Sequence, residues 1–143
     1  MISIKIKLIA GGKLPEYKRS GDVCLDCYAR INCHSFTIHK GKRALIPLGF
    51  ALELLPDYEA VIRPRSGLTS QGIDEAIGTI DENYRGEVKA CLVNNSEEDF
   101  VVNDGDRICQ MAIRHAPKVS FQVVEKLSET NRGEAGFGSS GIK

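Results

Sequence analysis

The segment Pro64-Arg65-Ser66-Gly67 combines side chains and backbone features that suit a phosphate group. Proline fixes the approach of the chain, and glycine allows the backbone to come close to a ligand. The guanidinium of Arg65 and the hydroxyl of Ser66 offer hydrogen-bond donors for phosphate oxygens. The same four residues could instead form an ordinary β-turn with a solvated arginine. Both interpretations stay open from these residues alone.

The segment from Gly78 to Glu87 carries a carboxylate that could activate water. Its polar centre lies between two apolar-patterned stretches, which predicts a hairpin with Asp81 at its shoulder. Such a carboxylate could orient and deprotonate a water molecule for attack on phosphorus. Alternatively, Asp81 hydrogen-bonds the amides of the turn, which is the commoner role of an aspartate there. Tyr84 could be a core tyrosine or a platform beneath a sugar.

The segment from Arg132 to Gly141 is rich in glycine around one arginine and one aromatic residue. Successive backbone N–H groups of such a segment can converge on an anion. Arg132 would add a forked cation, and Phe137 could stack on a base. The alternatives are a frayed terminus or, for residues 138–141, a cloning remnant. A remnant has no reason to include Arg132 and Phe137.

The five cysteines do not form a complete metal or redox motif. The pattern Cys24-x-x-Cys27 followed by Cys33-His34 resembles part of a zinc site, but a second ligand pair is missing at the expected spacing. Cys91 and Cys109 lie on separate predicted strands. A chain of this size does not need disulfides to fold. We therefore interpret the cysteines as reduced thiols in a cytoplasmic protein.

Period-two alternation of apolar and polar residues dominates the rest of the chain and predicts short strands. The predicted strands cover residues 2–8, 36–38, 48–54, the surroundings of Val61, 88–92, 108–113 and 119–123. Turn signals rich in Gly, Pro, Asn and Asp separate them. At most one helical turn fits after Gly67. Short strands at this spacing predict an all-β barrel or sandwich.

The 143 residues fit one domain with a substantial core. Residues 1–127 are predicted to form the β domain. Residues 128–143 are predicted to be a flexible tail, because they offer too little apolar surface to offset their ordering entropy.

Charge and hydropathy narrow the classes of function. Lys+Arg and Asp+Glu both number 19, so the net charge is zero. This balance argues against bulk electrostatic binding to nucleic acid or to an anionic membrane, and it favours a small ligand. The alternating N-terminus lacks the features of a secretory signal, and no apolar run is long enough to span a bilayer.

Five segments in order resemble the five motifs of trimeric dUTP pyrophosphatases (dUTPases), and the resemblance covers nearly the whole chain. They are Leu25–Ala29, Pro64–Leu68, Gly78–Glu87, Gly105–Gln110 and Arg132–Gly141. The resemblance implies a jelly-roll-like β-barrel, of the β-clip type, that forms a homotrimer with active sites at subunit interfaces. It also implies Mg²⁺-dependent hydrolysis of dUTP to dUMP and pyrophosphate, a reaction that lowers dUTP and supplies dUMP for thymidylate synthesis.

The resemblance assigns roles around the nucleoside. Asp81 would position the water that attacks the α-phosphorus, so that pyrophosphate leaves with the magnesium ion. Thr79, Ile80, Asp81 and Lys89 would line the uridine pocket. Tyr84 would pack on the deoxyribose and exclude a 2′-hydroxyl group.

The resemblance also assigns roles around the phosphates. Residues from a neighbouring subunit would hold them, and the tail would close from another subunit. The residues of the neighbouring subunit would be Arg65, Ser66 and Gly67, and Gln110 would contact the α-phosphate. The tail would bring Arg132, Gly138 and Ser139 to the phosphates and stack Phe137 on uracil. Asp26 would act through metal-bound water or would stabilise the fold. Mg²⁺ prefers phosphate oxygens and water, so no dedicated cluster of protein ligands is required.

Several positions depart from the pattern of these enzymes. Cys24, Cys27 and Cys109 stand where Gly, Leu and Ala are common, and we interpret them as small apolar substitutions. Asn83 replaces a common second acid, and residues 67–78 form a shorter stretch than in many relatives.

Two alternative functions remain for comparison. The sister family of dCTP deaminases shares the fold and the trimer, but the Arg-Ser-Gly turn and the Ile80-Asp81 string favour hydrolysis. A nucleotide-binding module without catalysis would be expected to lack the acid or the tail, and this sequence retains both.

Overall fold

The computed structural model describes residues 2–32 and 34–136. These residues form short β-strands and one helix of four residues. The elements are β1 (Lys5–Leu8), β2 (Leu25–Tyr28), β3 (Ser35–Ile38), β4 (Arg43–Pro47), β5 (Phe50–Glu53), β6 (Tyr58–Arg63), α1 (Ser66–Thr69), β7 (Ile73–Ala76), β8 (Gly78–Ile80), β9 (Lys89–Asn94), β10 (Phe100–Asn103) and β11 (Arg107–His115).

The strands form antiparallel sheets in the orders β2-β11-β6-β8 and β4-β9-β7, with the smaller pairs β1-β5 and β3-β10. The longest strand, β11, pairs with β2 on one side and with β6 on the other. Within the described residues, none of these pairings joins two consecutive strands. The chain therefore passes repeatedly from one sheet to another, as in a jelly-roll-like barrel.

The core is filled by side chains that point inward from several sheets. Phe50, Ile62, Leu92 and Ile108 are almost completely buried, and each contributes about 1.5–3 kcal/mol through loss of apolar surface from water. The buried amide of Asn94 is satisfied, because its Nδ2 donates to two backbone carbonyl oxygens at 2.8 Å.

The turn between β4 and β5 comes into close contact with an earlier loop. A Cβ atom on Gly12 would lie 1.9 Å from the carbonyl oxygen of Gly49, so a side chain at Gly12 is excluded. Gly49 itself has φ of +77°, which glycine adopts without strain. This contact places the amide of Gly49 next to the region that forms the candidate site.

Most of the predicted elements are confirmed. Strands form within or overlap the predicted stretches at β1, β3, β5, β6, β9 and β11, and the single helical turn is α1. The alternation does not predict β2, β4, β7, β8 or β10. Strands β2 and β7 do not have a simple alternation of apolar inward and polar outward residues: β2 is buried at three successive residues, and β7 places the polar Glu75 inward.

The prediction of a strand at 119–123 is wrong for this chain. The segment forms no strand, and its apolar side chains face solvent, with Phe121 93% and Val123 96% exposed. The alternation is present in the sequence, but a strand also needs a partner for its backbone groups. In the part of the chain that the structure describes, no helix is long and apolar enough to cross a membrane.

Candidate active site

The loop that follows β8, residues 81–88, carries the chain from one sheet to another. We name it the Asp81 loop. Its predicted turn is confirmed, because the amide of Tyr84 donates to the carbonyl oxygen of Asp81 at 3.1 Å. The predicted hairpin is wrong, because β8 pairs with β6, whereas β9 pairs with β4 and β7. The loop therefore bridges two sheets.

The entry to this loop is also short. Ile77 alone separates β7 from β8, so the chain changes sheet within one residue. Both β7 and β8 are therefore present between Gly67 and the Asp81 loop.

A cavity of about 380 Å³ lies beside the Asp81 loop, a size that suits a small ligand. The five residues assigned to the nucleoside lie around it: Thr79, Ile80, Asp81, Tyr84 and Lys89. The cavity is completed by Leu45, Glu75, Ala76, Ile77, Gly78, Glu87 and Cys91. The fold thus brings together residues from β7, β8, the Asp81 loop and β9.

Hydrogen bonds inside the Asp81 loop fix the position of Tyr84. Its hydroxyl donates to the carbonyl oxygen of Glu87 at 3.1 Å. A Cβ atom on Gly86 would lie 2.3 Å from that hydroxyl, so glycine leaves room for the tyrosine. The guanidinium of Arg85 donates to the carbonyl oxygens of Glu82 and Tyr84. The ring of Tyr84 remains 43% exposed and available for contact.

Carboxylates connect both ends of the loop to the barrel. Glu82 accepts a hydrogen bond from the amide of Asp57 at 2.6 Å and pairs with Lys118 at 3.2 Å. The amide of Asp57, and then Lys118, lower the pKa of Glu82. At the other end, Glu87 accepts two hydrogen bonds from Arg30 at 2.8 Å and one from the amide of Gly49 at 3.0 Å.

A second group of candidate residues surrounds Asp26, which is only 8% exposed. The Nη1 of Arg107 donates to Asp26 Oδ2 at 3.1 Å, and the Nε of Arg65 lies 3.5 Å from Asp26 Oδ1. The Nη1 of Arg65 also donates to the carbonyl oxygen of Arg107 at 2.8 Å. Arg65 is thereby held directly before Ser66, at the beginning of α1.

Gln110 belongs to this second group through the register of β11. It lies opposite Asp26 on β2 and opposite Arg63 on β6, so these side chains share one face of the sheet. Gln110 lines another cavity, of about 420 Å³, together with Cys24, Val61, Arg63, Pro64, Ile77 and Arg114. Neither Arg65 nor Gln110 lines the cavity beside the Asp81 loop.

Comparison with known proteins identifies the family. The family model described as dUTPase matches residues 10–141. The chain belongs to the dUTPase family. It is 44% identical to the deoxyuridine 5′-triphosphate nucleotidohydrolase of Clostridium acetobutylicum, over 100% of this chain and 99% of that protein. The corresponding protein of Anaplasma marginale is 42% identical, with 99% of each chain covered.

Solved dUTPase structures have the same fold. A mutant dUTPase of Staphylococcus bacteriophage 80alpha, in complex with dUpNHpp, superposes with a TM-score of 0.90 at 21% identity, over 99% of this chain and 100% of that one. A mutant dUTPase of phage phi11 of S. aureus, described with a structural Mg(II) ion, gives 0.80 at 17% identity, over 90% and 100%. The all-β, jelly-roll-like prediction is confirmed, and family identity supports conversion of dUTP to dUMP by a dUTP diphosphatase.

For a dUTPase, the environment of Asp26 bears on the two roles considered for this residue. Its carboxylate oxygens face two guanidinium groups, and a buried carboxylate needs such partners. This geometry favours a role in positioning Arg65. Among residues 2–32 and 34–136, no group of three or more His, Cys, Asp or Glu side chains is arranged to hold a metal ion.

The beginning of the dUTPase tail forms a local turn. The amide of Gly133 donates to both oxygens of Thr130 at 3.1 Å, and the Nε of Arg132 donates to the carbonyl oxygen of Ala135 at 2.9 Å. Arg132 is thus placed within the tail rather than in either group of site residues. The predicted contacts of Phe137, Gly138 and Ser139 lie outside the described residues.

Of the unusual cysteines of this dUTPase, Cys27 and Cys109 are buried, whereas Cys24 is partly exposed. Cys27 and Cys109 are opposite each other on β2 and β11, and both are fully buried. A hydrogen bond with Cys27 and burial raise the pKa of the Cys109 thiol, which makes that thiol unreactive. These observations support the interpretation of both residues as small apolar substitutions.

Sequence reasoning missed Arg30 and Glu75, although both lie near the nucleoside cavity. Arg30 had no motif to mark it, because its partner is distant in sequence. Glu75 is 5% exposed, and its Oε2 has no hydrogen-bond partner among the described residues. Burial raises the pKa of Glu75 to about 7, against a smaller lowering effect of the Cys91 amide. The sequence offered only the acidic pair Asp74-Glu75 between Ile73 and Ala76, which does not show which of the two carboxyls is buried.

Proposed function

We propose that Asp81 orients and deprotonates the water molecule that hydrolyses dUTP to dUMP and pyrophosphate. The observation that supports this most directly is the arrangement of Thr79, Ile80, Asp81, Tyr84 and Lys89 around one cavity. Asp81 is exposed at that cavity, so its carboxylate can reach a water molecule beside a bound nucleotide. A carboxylate in this position suits the role of general base.

The position of Asp81 favours attack on the α-phosphorus. With the base and deoxyribose in the cavity, the α-phosphate is the phosphate nearest to the nucleoside and therefore to Asp81. Attack there releases pyrophosphate as the leaving group. Ile80 and Thr79 would border the base and Tyr84 the sugar. The protein then contributes mainly by positioning the reactants and stabilising charge.

We propose Mg²⁺ as the metal cofactor, held mainly by the phosphates of the substrate. The donors present fit this arrangement, because Asp81 is exposed whereas Asp26 is paired with arginines. A bound Mg²⁺ ion would neutralise part of the triphosphate charge. Arg65, Ser66 and Gly67 would supply donors to the phosphate oxygens, and Gln110 would contact the α-phosphate.

We also propose that the enzyme is a homotrimer whose sites lie between subunits. The group around Arg65 and the cavity beside Asp81 are separate in one chain, so a complete site needs residues from a neighbouring chain. In addition, Val119, Phe121, Val123 and Leu127 are exposed on the segment that follows β11. We name residues 116–127 the arm.

An apolar groove elsewhere on the barrel supports assembly. It has a volume of about 410 Å³ and is lined by Ile2, Ile4, Ile6, Leu14, Pro15, Tyr17, Leu25, Leu52, Met111 and Ile113. A groove with this lining could receive apolar side chains from a neighbouring subunit. We propose that residues 128–143 act as a tail that closes over the site of another subunit, with Arg132, Gly138 and Ser139 at the phosphates and Phe137 on uracil. The expected location is the cytoplasm.

The decisive assay measures release of pyrophosphate from dUTP in the presence of Mg²⁺. The same assay is run with dTTP, dCTP and UTP as alternative substrates, and EDTA provides the metal-free control. We expect turnover of dUTP alone and its loss in EDTA. In ¹⁸O-labelled water, attack at the α-phosphorus places the label in dUMP, whereas attack at the β-phosphorus places it in pyrophosphate. Ammonia release from dCTP without hydrolysis of dUTP would contradict the proposal.

A further inference from the structure

Arg30 and Glu87 form an ion pair that is largely shielded from solvent. The Nε and Nη2 of Arg30 donate to the two carboxylate oxygens of Glu87, each at 2.8 Å. The side chains are only 15% and 19% exposed. A bidentate pair of this kind fixes direction as well as distance, and it is stronger than an exposed salt bridge.

Both partners are held by additional contacts. The amide of Arg30 donates to the carbonyl oxygen of Pro47 at 2.8 Å, at the end of β4. The amide of Gly49 donates to Glu87 Oε1 at 3.0 Å. The carboxylate of Glu87 therefore accepts three hydrogen bonds from the barrel, and it is not free to act as a base on a substrate.

The backbone of Glu87 has a separate partner in the candidate site. Its carbonyl oxygen accepts the hydrogen bond from the hydroxyl of Tyr84 at 3.1 Å. The position of Glu87 therefore helps to fix the position of the aromatic ring of Tyr84, which lines the nucleoside cavity. The connection runs from Arg30, through the side chain and then the backbone of Glu87, to the phenol.

We propose that Arg30 is a positioning residue for substrate selection: it fixes Glu87, and through Glu87 it fixes Tyr84 against the sugar of the nucleotide. This inference rests on the proposed function, in which Tyr84 packs on the deoxyribose. A displacement of the ring would admit a 2′-hydroxyl group and weaken contact with dUTP. Asp81 lies at the opposite end of the loop, and its turn hydrogen bond joins the backbone amide of Tyr84, not the phenol, to the carbonyl oxygen of Asp81. We therefore expect a displaced ring to affect binding more than the chemical step.

Steady-state kinetics with dUTP and UTP test this inference in the full-length enzyme. For Arg30→Met, which keeps an apolar stem but loses the charged fork, we expect KM for dUTP to rise about tenfold, with kcat changed less than threefold. The ratio of kcat/KM for dUTP to that for UTP should fall about tenfold. Arg30→Lys should recover part of this ratio, because it restores the charge without the bidentate geometry.

Tyr84→Phe separates positioning from a general effect on stability. It removes the hydrogen bond to Glu87 and should lower the dUTP/UTP ratio by itself. The double variant Arg30→Met/Tyr84→Phe should then lose little more than the larger single effect, because both changes break the same connection. Independent effects would multiply instead, and that outcome would overturn the proposal.

A surface pair provides the matched control. Lys40 and Glu97 also join residues distant in sequence, but their side chains are 61% and 93% exposed. Lys40→Met should leave KM and the dUTP/UTP ratio unchanged. If Arg30→Met lowers the unfolding temperature while both kinetic quantities stay at wild-type values, Arg30 is structural only.

Two further results keep the test decisive. Should Arg30→Met not fold, Glu87→Gln and Arg30→Lys weaken the same pair more mildly, and an unchanged dUTP/UTP ratio in both would contradict the proposal. Absence of dUTP hydrolysis in the wild-type enzyme would instead refute the proposed function, and it is detected before any variant is made.

Discussion

The Asp81 loop and the arm show that the polarity of a segment does not decide whether it is held against the barrel. The loop consists largely of polar residues, yet it is connected to the barrel at both ends through Glu82 and Glu87. The arm carries alternating apolar residues, yet Phe121 and Val123 are more than 90% exposed. The loop is therefore defined by contacts within one chain. Beyond Lys118, which pairs with Glu82, the arm has the composition of a strand but no strand partner among the described residues.

This difference separates two sources of order in the molecule. Buried ion pairs and charge-assisted hydrogen bonds position the nucleoside cavity before any ligand binds. The arm can bury its apolar side chains only against another surface. We therefore expect changes in the loop to act on catalysis and selection, and changes in the arm to act on assembly.

The largest expected effect is that of Asp81→Asn, which leaves the shape of the loop intact. Loss of the general base should reduce kcat by about 10³-fold while nucleotide binding persists. Release of pyrophosphate and calorimetric binding of a non-hydrolysable dUTP analogue measure the two quantities. An active variant would remove Asp81 as the water activator. Asn83→Asp serves as the control, since it changes a charge in the same turn and should retain turnover.

Removal of the tail should have the next largest effect. A chain that ends at Thr130 keeps the arm but lacks Arg132 and Phe137. We expect hydrolysis to fall about 10²-fold, because phosphate and base contacts are lost, while the oligomeric state is unchanged. Light scattering and the pyrophosphate assay measure these outcomes. Unchanged activity would mean that the tail has no role in closing the site.

Sequence patterns predicted those parts of the fold that depend on local chemistry. The turns, the longer alternating strands and a single helical turn follow from residue type and spacing. The structure confirms them, although the helix begins at Ser66 and the prediction placed it after Gly67. Thr79 and Tyr84 were assigned together by resemblance, and the fold places them at one cavity.

Other features could not be predicted, because they depend on pairing at a distance. The hairpin prediction failed since nothing in residues 78–94 shows that β8 pairs with β6 and that β9 pairs with β4. The contact between Arg30 and Glu87 joins residues 57 positions apart. The exposure of Phe121 depends on the absence of a strand partner among residues 2–32 and 34–136, which no local pattern can reveal.

Phe121→Asp tests whether the arm acts on assembly. A charge on this side chain costs little in the isolated chain, where the residue is 93% exposed, but burial at an interface would be strongly unfavourable. We expect the midpoint of dissociation to rise at least about tenfold in protein concentration, measured by analytical ultracentrifugation. The barrel should retain its far-ultraviolet spectrum. Lys126→Glu is the control, because it changes charge on the same segment without removing apolar surface.

If Phe121→Asp leaves the oligomer unchanged but impairs turnover, the separation between the two regions would be wrong. The arm would then contribute to the site directly. Normal assembly with normal turnover would leave the exposed apolar side chains of the arm without the proposed role.

The smallest expected effect is a change of stability with pH that arises from Glu75, which lies on β7 beside the nucleoside cavity. Its pKa is raised to about 7 from 4.5 by burial, so the folded protein retains a proton that the unfolded chain has already released. The folded state binds more protons between these values, and the free energy of unfolding therefore falls as pH rises through this window. Above about pH 7 the loss is complete.

Glu75→Gln removes this titration and keeps a side chain of similar shape. Relative to wild type, the variant should gain on the order of 2 kcal/mol of unfolding free energy between pH 5 and pH 8, measured by urea unfolding at fixed protein concentration. Glu53→Gln is the control, because Lys5 lowers the pKa of that exposed carboxyl whereas burial raises the pKa of Glu75. This variant should therefore not gain unfolding free energy relative to wild type as the pH rises. A pH-independent difference between wild type and Glu75→Gln would show that Glu75 ionises normally. Strand β7, which carries Glu75, would then be held as firmly at pH 8 as at pH 5, and its contrast with the arm would not depend on pH.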